Sequence, residues 1–403
     1  MAAPTKRRIA YIDWMRGFAC LLMFQTHCYD AWLGGTARRT EFFRWSQLGG
    51  TLPAPLFLLL AGVSVALATD RHWQQGIAAG RIARTTMLRG VEVFGFGILF
   101  RMQEFLLGQP KAPWTDLLRV DILNIIGLSI VLLGALIGAA SWLVSMGAPS
   151  LPDQRDKKQD KSAGNAQSFP LRLRARLAVA ATLVACGIVL ATPLLWTTWR
   201  PRWLPWFLES YVNGVHIYDQ PQPWLFPLFP WSAFAFAGLA IGCVLLSPWG
   251  RRHELAATGW TAAGGAALYG LGLWLDSRPQ SLYAVYDFWH TSPEFFLMRM
   301  GVIMALIFLT YAWCRWGAGQ WGFSPMIELG RQSLVVYWVH TEFVYGRFSI
   351  LTKGAQGIAR ATGGFLIIFT AMTALATFLN RNQGRGLQAL AIWRRPARVA
   401  AQT

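Results

Sequence analysis

Charged side chains are scarce in this 403-residue chain, where Asp, Glu, Lys and Arg make up 14%. Soluble domains carry about a quarter, so a soluble globular fold is excluded. Acidic residues are scarcer still, 19 against 37 Lys and Arg, leaving a formal net charge of +18. Such a surplus can mark nucleic-acid binding, but no basic face on a soluble module is present and no nucleic-acid partner is expected. Cysteine is sparse too. Cys20, Cys28, Cys186, Cys243 and Cys314 lie within or at the edges of apolar runs, with no CxxC and no His/Cys ligand spacing. Neither a disulfide framework nor a metal site is expected. Low-complexity sequence is confined to residues 147–176, whose Pro, Ser, Lys, Asp and Gln content cannot bury a core. That stretch reads as a flexible cytoplasmic linker.

What is abundant is apolar side chain, 54% of the chain. Runs of about 20 residues, the length that crosses a bilayer, recur approximately at 9–30, 51–69, 86–107, 121–144, 177–196, 225–247, 257–275, 295–314, 326–345 and 362–380. The reading is an all-α, polytopic membrane helix bundle of about ten spans. One transmembrane domain over 1–380 is followed by a basic cytoplasmic tail over 381–403. With the N-terminus inside, inner segments hold about 22 Lys/Arg and outer loops about 12, which puts both termini in the cytoplasm. The first run follows Lys6, Arg7 and Arg8 as a signal peptide would. Asp13 and Arg16 interrupt it and no small-residue cleavage site follows, so it reads as a retained span.

Ionisable residues inside spans are costly and are functional candidates by default. The first span carries Asp13, Arg16 and His27. At ~100° per residue, the eleven steps from Arg16 to His27 return to within about 20° of the starting direction, about 16 Å further along the axis. The two share a stripe, with Asp13 and Cys20 near it. In the second span Pro53 and Pro55 suit a helix entrance, while Gly62 and Ser64 permit close helix contact. In the third, Arg89/Glu92 and Arg101/Glu104 have the i,i+3 spacing of structural pairs.

Asp121 stands at the outer end of the fourth span, with Asn124 one turn on. It is either a helix-cap acid or the acid that orients an imidazole. The long outer loop, 197–223, is rich in Trp and Tyr. These belong to an interfacial belt or form a lid whose rings stack on a sugar. His290 lies in the next outer loop. Arg299, inside the eighth span, needs a partner, for which Glu294 is a candidate. In the ninth, Ser333, Tyr337 and His340 share a face at i, i+4 and i+7. Arg331 lies at its inner end, and His340 lies near the depth of His27.

An inner arginine and an outer histidine on one stripe suit a reaction fed from the cytoplasm and completed near the outer face. Arginine recognises phosphate groups. Histidine takes a proton near neutral pH or accepts an acyl group. Their separation of about 16 Å is comparable with the pantetheine arm of coenzyme A, which makes acyl transfer a natural reading. The competing class is a transporter or flippase with Asp13, Arg16 and Arg299 along a substrate path, against which no inverted repeat is found.

The stretches IDWMRG with His27, PLFLLLAGVSVAL, RVDILNIIGL, FPLFPWSAFAFAG, HTSPEFFLMRMG and LGRQSLVVYWVH occur in this order. Together they resemble bacterial membrane proteins related to heparan-α-glucosaminide N-acetyltransferase. The Arg16-x10-His27 spacing also resembles acyltransferase family 3. The resemblance runs from about residue 8 to 380 and implies a multi-pass enzyme of the bacterial inner membrane, using acetyl-CoA or another acyl-CoA as co-substrate and no metal. It implies a glycan or glycolipid acceptor, with the lipid bilayer around the protein, and is compatible with a homodimer. By motif, His27 is the catalytic histidine, Arg16 the donor-side arginine and Asp13 its orienting acid. Arg331 joins that donor-side group. Asp121, His290 and His340 are candidates for orienting His27 or the acceptor.

Overall fold

A computed structural model describes residues 9–146, 159–214, 226–317 and 322–382, with the side chains of 145–146 and 159–170 left aside. In chain order the helices are α1 (Ala10–Trp32), α2 (Gly35–Arg38), α3 (Glu41–Gly50), α4 (Pro53–Gln74) and α5 (Ala79–Gly108). After a 3-10 turn at Trp114–Leu118 come α6 (Ile122–Met146), α7 (Gln159–Thr197), α8 (Trp206–Asn213), α9 (Leu228–Leu245) and α10 (Pro248–Arg252). The last are α11 (Glu254–Asp276), α12 (Pro293–Trp316), α13 (Pro325–Arg331), α14 (Ser333–Val344) and α15 (Ile358–Asn382). No strand occurs among the described residues; an isolated bridge pairs Leu33 with Gln356.

Among the described residues, each apolar run expected to span falls largely on helical backbone, because an apolar segment in lipid must satisfy its own N–H and C=O groups. Among the described residues, 6 helical segments are long and apolar enough to cross a membrane by length and composition. The fold is an all-α, polytopic membrane architecture. Two details differ from the sequence reading. The ninth run is two helices, α13 and α14, broken at Gln332 (φ −114°, ψ 22°). The segment 147–176 is described from residue 159, the first residue of α7; 147–158 and most of the tail, 383–403, lie outside the described residues.

The chain divides into two compact units. The first comprises Met1–Gly50 and Trp313–Thr403. Its core is built around α1, with Met15, Phe24, Trp32 and Leu33 fully buried. A Cβ on Gly17 would overlap the Met326 carbonyl, and one on Gly330 would overlap the Asp13 carbonyl. Glycine at both places therefore lets α1 and α13 meet backbone to backbone, as small residues do in membrane bundles. Beyond α1 the chain is pinned to the 349–356 segment. Trp32 Nε1 donates to Ser349 Oγ (3.0 Å), and the Gln356 amide donates to the Trp32 carbonyl (2.8 Å).

The second unit comprises Thr51–Ala312. Gly62 meets the Ala235 carbonyl of α9, and Gly238 meets the Leu59 carbonyl of α4, the close contact that Gly62 suggested. Leu56, Leu58, Leu59, Phe100, Ile125 and Phe234 are fully buried. At one end of α4, buried Asp70 forms ion pairs with Arg174 and Arg251 and accepts from Gln74 Nε2 (2.8 Å).

Candidate active site

The break at Gln332 has a visible partner. Gln332 Nε2 donates to Asn380 Oδ1 of α15 (2.7 Å), and Asn380 Nδ2 donates back to the Glu328 carbonyl (3.1 Å) and its carboxylate. With α13 held against α1 by glycine, this break sets the course of α14. His340 of α14 meets His27 of α1, Nε2 to Nδ1 at 2.9 Å. The rings are near parallel, 14° apart, with centroids 5.1 Å from one another. A ring nitrogen lies about 1.1 Å from its centroid by covalent geometry, so these values describe an in-plane hydrogen bond rather than a face-to-face stack.

His340 has no solvent exposure, and its Nδ1 is 2.9 Å from the Val336 carbonyl one turn back. Phe24 (4.7 Å) and Tyr337 (5.9 Å) wall its ring. His27 is half-buried, and Tyr345 presents its ring edge-on to it at 5.2 Å. Tyr345 donates its hydroxyl to Asp30 Oδ2 (2.8 Å), and Arg38 stands 3.8 Å from the same carboxylate. Tyr345 thus links the ring of His27 to the carboxylate of Asp30. Neither Tyr345 nor Asp30 was singled out by sequence, although Asp30 follows His27 at i,i+3 and so shares its helix face.

Toward the start of α1, Arg16 Nη1 donates to Asp13 Oδ1 at 3.2 Å, the two being i,i+3 neighbours on the helix. At the end of α13, Arg331 Nη1 pairs with Glu328 Oε1 at 3.3 Å. Both arginine side chains keep exposure, 28% and 36%. Each guanidinium is thus paired with a carboxylate on a side chain that remains partly exposed.

The remaining candidates belong to the second unit, whereas His27 belongs to the first. Asp121 is bound to Arg101, Oδ2 to Nη2 at 2.8 Å, and both are buried. Its Oδ1 accepts from the Leu123 amide (3.3 Å), while Asn124 Oδ1 accepts from the Asp121 amide (3.2 Å). The cap reading of Asp121 is the one this geometry matches. Arg101 looks across to Asp121 where local spacing suggested Glu104. His290 Nδ1 pairs with Asp287 Oδ2 at 2.7 Å, and its ring lies parallel to Trp196, 6.3 Å away.

Arg299 corrects the sequence reading. It donates to the Trp289 carbonyl, and its guanidinium sits over Phe295 (3.8 Å) and Trp231 (5.6 Å). Glu294 Oε2 has no hydrogen-bond partner among the described residues. Aromatic faces and a carbonyl surround the cation there, while its buried Nε has no hydrogen-bond partner among the described residues. Of the outer loop 197–223, residues 215–223 lie outside the described residues; in the rest, Arg200 pairs with Glu209 at 3.7 Å.

No curated protein matches the chain. Residues 8–151 match the family model of the heparan-alpha-glucosaminide N-acetyltransferase catalytic domain. The matched segment carries Asp13, Arg16, His27 and Asp121, and it ends before α13 and α14. The matched segment, a little over a third of the 403 residues, is similar to the heparan-alpha-glucosaminide N-acetyltransferase catalytic domain.

Proposed function

We propose that this protein is a multi-pass acyltransferase of a bacterial inner membrane, with about ten spans and both termini in the cytoplasm. It moves an acyl group, acetyl in the simplest case, from cytoplasmic acyl-CoA to an amine or hydroxyl of a glycan or glycolipid at the outer face. The observation that carries this reading is the contact between His27 and His340, with His27 on the same helix as Arg16 and inside the matched segment.

Arg16, steadied by Asp13, and Arg331 hold the donor's phosphate groups at the inner side. The pantetheine arm then reaches along α1 toward His27, about 16 Å away at helical rise. His27 takes the proton of the acceptor O–H or N–H as that atom attacks the thioester carbonyl. The C–S bond breaks, and the CoA thiolate leaves with the proton from His27. A short-lived acyl-histidine would use the same nitrogen lone pair in two steps.

The test is mass spectrometry of envelope glycans and glycolipids from cells with the wild-type protein, His27→Ala, or no protein. Acylated species that require wild-type protein and vanish with His27→Ala support the reading. Unchanged acylation in the variant overturns it. Thermal stabilisation of purified protein by acetyl-CoA separates acyltransferase from transporter, since a transporter of unrelated cargo has no reason to respond.

A further inference from the structure

We infer that His340 fixes the tautomer of His27, so that transfer runs through His27 Nε2 with His340 as a positioning residue. This rests on the reading of His27 as the reacting group.

The Val336 carbonyl can only accept, so His340 Nδ1, 2.9 Å away, carries a proton. His340 has no exposure, and its hydrogen-bond contacts are the backbone of Val336 and Tyr337 and an imidazole. An imidazolium there would be a buried charge without a counter-charge, which is costly. In the neutral ring, Nε2 is then an acceptor. That atom lies 2.9 Å from His27 Nδ1, which must therefore be the donor. The lone pair of neutral His27 falls on Nε2.

The chain of donors has one direction: His27 gives to His340, and His340 gives to Val336. Where a hydrolytic triad uses a buried acid to hold its histidine, this protein uses a second imidazole tied to its own helix. The near-coplanar rings and the enclosing Phe24 and Tyr337 keep His340 from turning away. During transfer the acceptor proton goes to His27 Nε2, and the Nδ1–H bond to His340 stays in place to hold the imidazolium. The proton then passes from Nε2 to the departing sulfur, and the pair returns to its starting state.

Nitrogen NMR of full-length protein labelled at histidine, compared with His27→Ala to assign the signals, reads the tautomer directly. His27 Nδ1 is expected as the protonated, pyrrole-type nitrogen and Nε2 as the pyridine-type one; the reverse overturns the inference. His340→Leu removes the acceptor, whereas His340→Gln keeps an oxygen near the position of Nε2. With acetyl-CoA as donor and glucosamine as acceptor probe, CoA release by the Leu variant should fall in kcat by about a hundredfold, within the range for a misplaced general base. Its KM for acetyl-CoA should be unchanged. The Gln variant should stay within about tenfold of wild type. A folded Leu variant with wild-type kcat overturns the inference. If the Leu variant does not fold, the tautomer in wild type and the Gln variant decide. Loss in His27→Ala alongside full activity in His340→Leu defeats only this inference, while full activity in His27→Ala defeats the proposed function.

Discussion

Arg101 and Asp121 form a buried ion pair, Nη2 to Oδ2 at 2.8 Å, that ties the last third of α5 to the head of α6. The same carboxylate caps α6 through the Leu123 amide. Both jobs are structural, and they account for an acid inside an apolar region. Asp121→Asn leaves Arg101 as an uncompensated buried charge, so stability should fall by about 3–5 kcal/mol. Combining it with Arg101→Met should recover most of that loss, because no charge is then stranded. Thermal melting of the three variants in detergent measures this. CoA release per folded molecule should stay near wild type in the double variant.

Gly330 permits the approach of α13 to the Asp13 carbonyl. A methyl group there forces the helices apart or strains them, at about 1–3 kcal/mol for overpacking. Gly330→Ala should therefore melt at lower temperature than wild type. Gly363 of α15 has open space around its Cβ direction, and Gly363→Ala should leave the melting temperature equal or higher.

Arg16 keeps 28% of its side chain exposed while bound to Asp13. A charge-assisted hydrogen bond to a donor phosphate is worth about 1.5–3 kcal/mol. Arg16→Ala should raise the KM for acetyl-CoA by about ten- to a hundredfold, with a smaller change in kcat. Steady-state CoA release checks the split; an unchanged KM would remove Arg16 from the donor site.

Tyr211 lies in α8, outside the apolar runs, with Phe94 5.8 Å from its ring. Burial, with the Asp121 charge adding, pushes its hydroxyl from 10.0 up to about 12. The folded state thus holds the proton longer than the unfolded chain does. Its contribution to stability is complete below pH 10 and is lost as pH rises to about 12. Melting curves across that window should fall less steeply for Tyr211→Phe than for wild type.

Sequence determined the helices, because the need to satisfy backbone groups in lipid acts on each apolar run by itself. It also determined pairs within one turn, such as Asp13 with Arg16 and Arg89 with Glu92, the latter 2.7 Å apart. The stripe shared by Arg16 and His27 is likewise a property of helix pitch alone. Tertiary structure decided every partnership between helices. His27 and His340 are 313 positions apart in sequence, and the packing of α1 against α13 and α14, with the break at Gln332, brings them within 2.9 Å. The same holds for Arg101, drawn to Asp121 rather than along its own helix, and for Arg299, set over aromatic faces rather than against Glu294. Such choices depend on how each helix is rotated and how deeply its neighbour sits. Side-chain volumes at the crossings set both, and no local pattern records them.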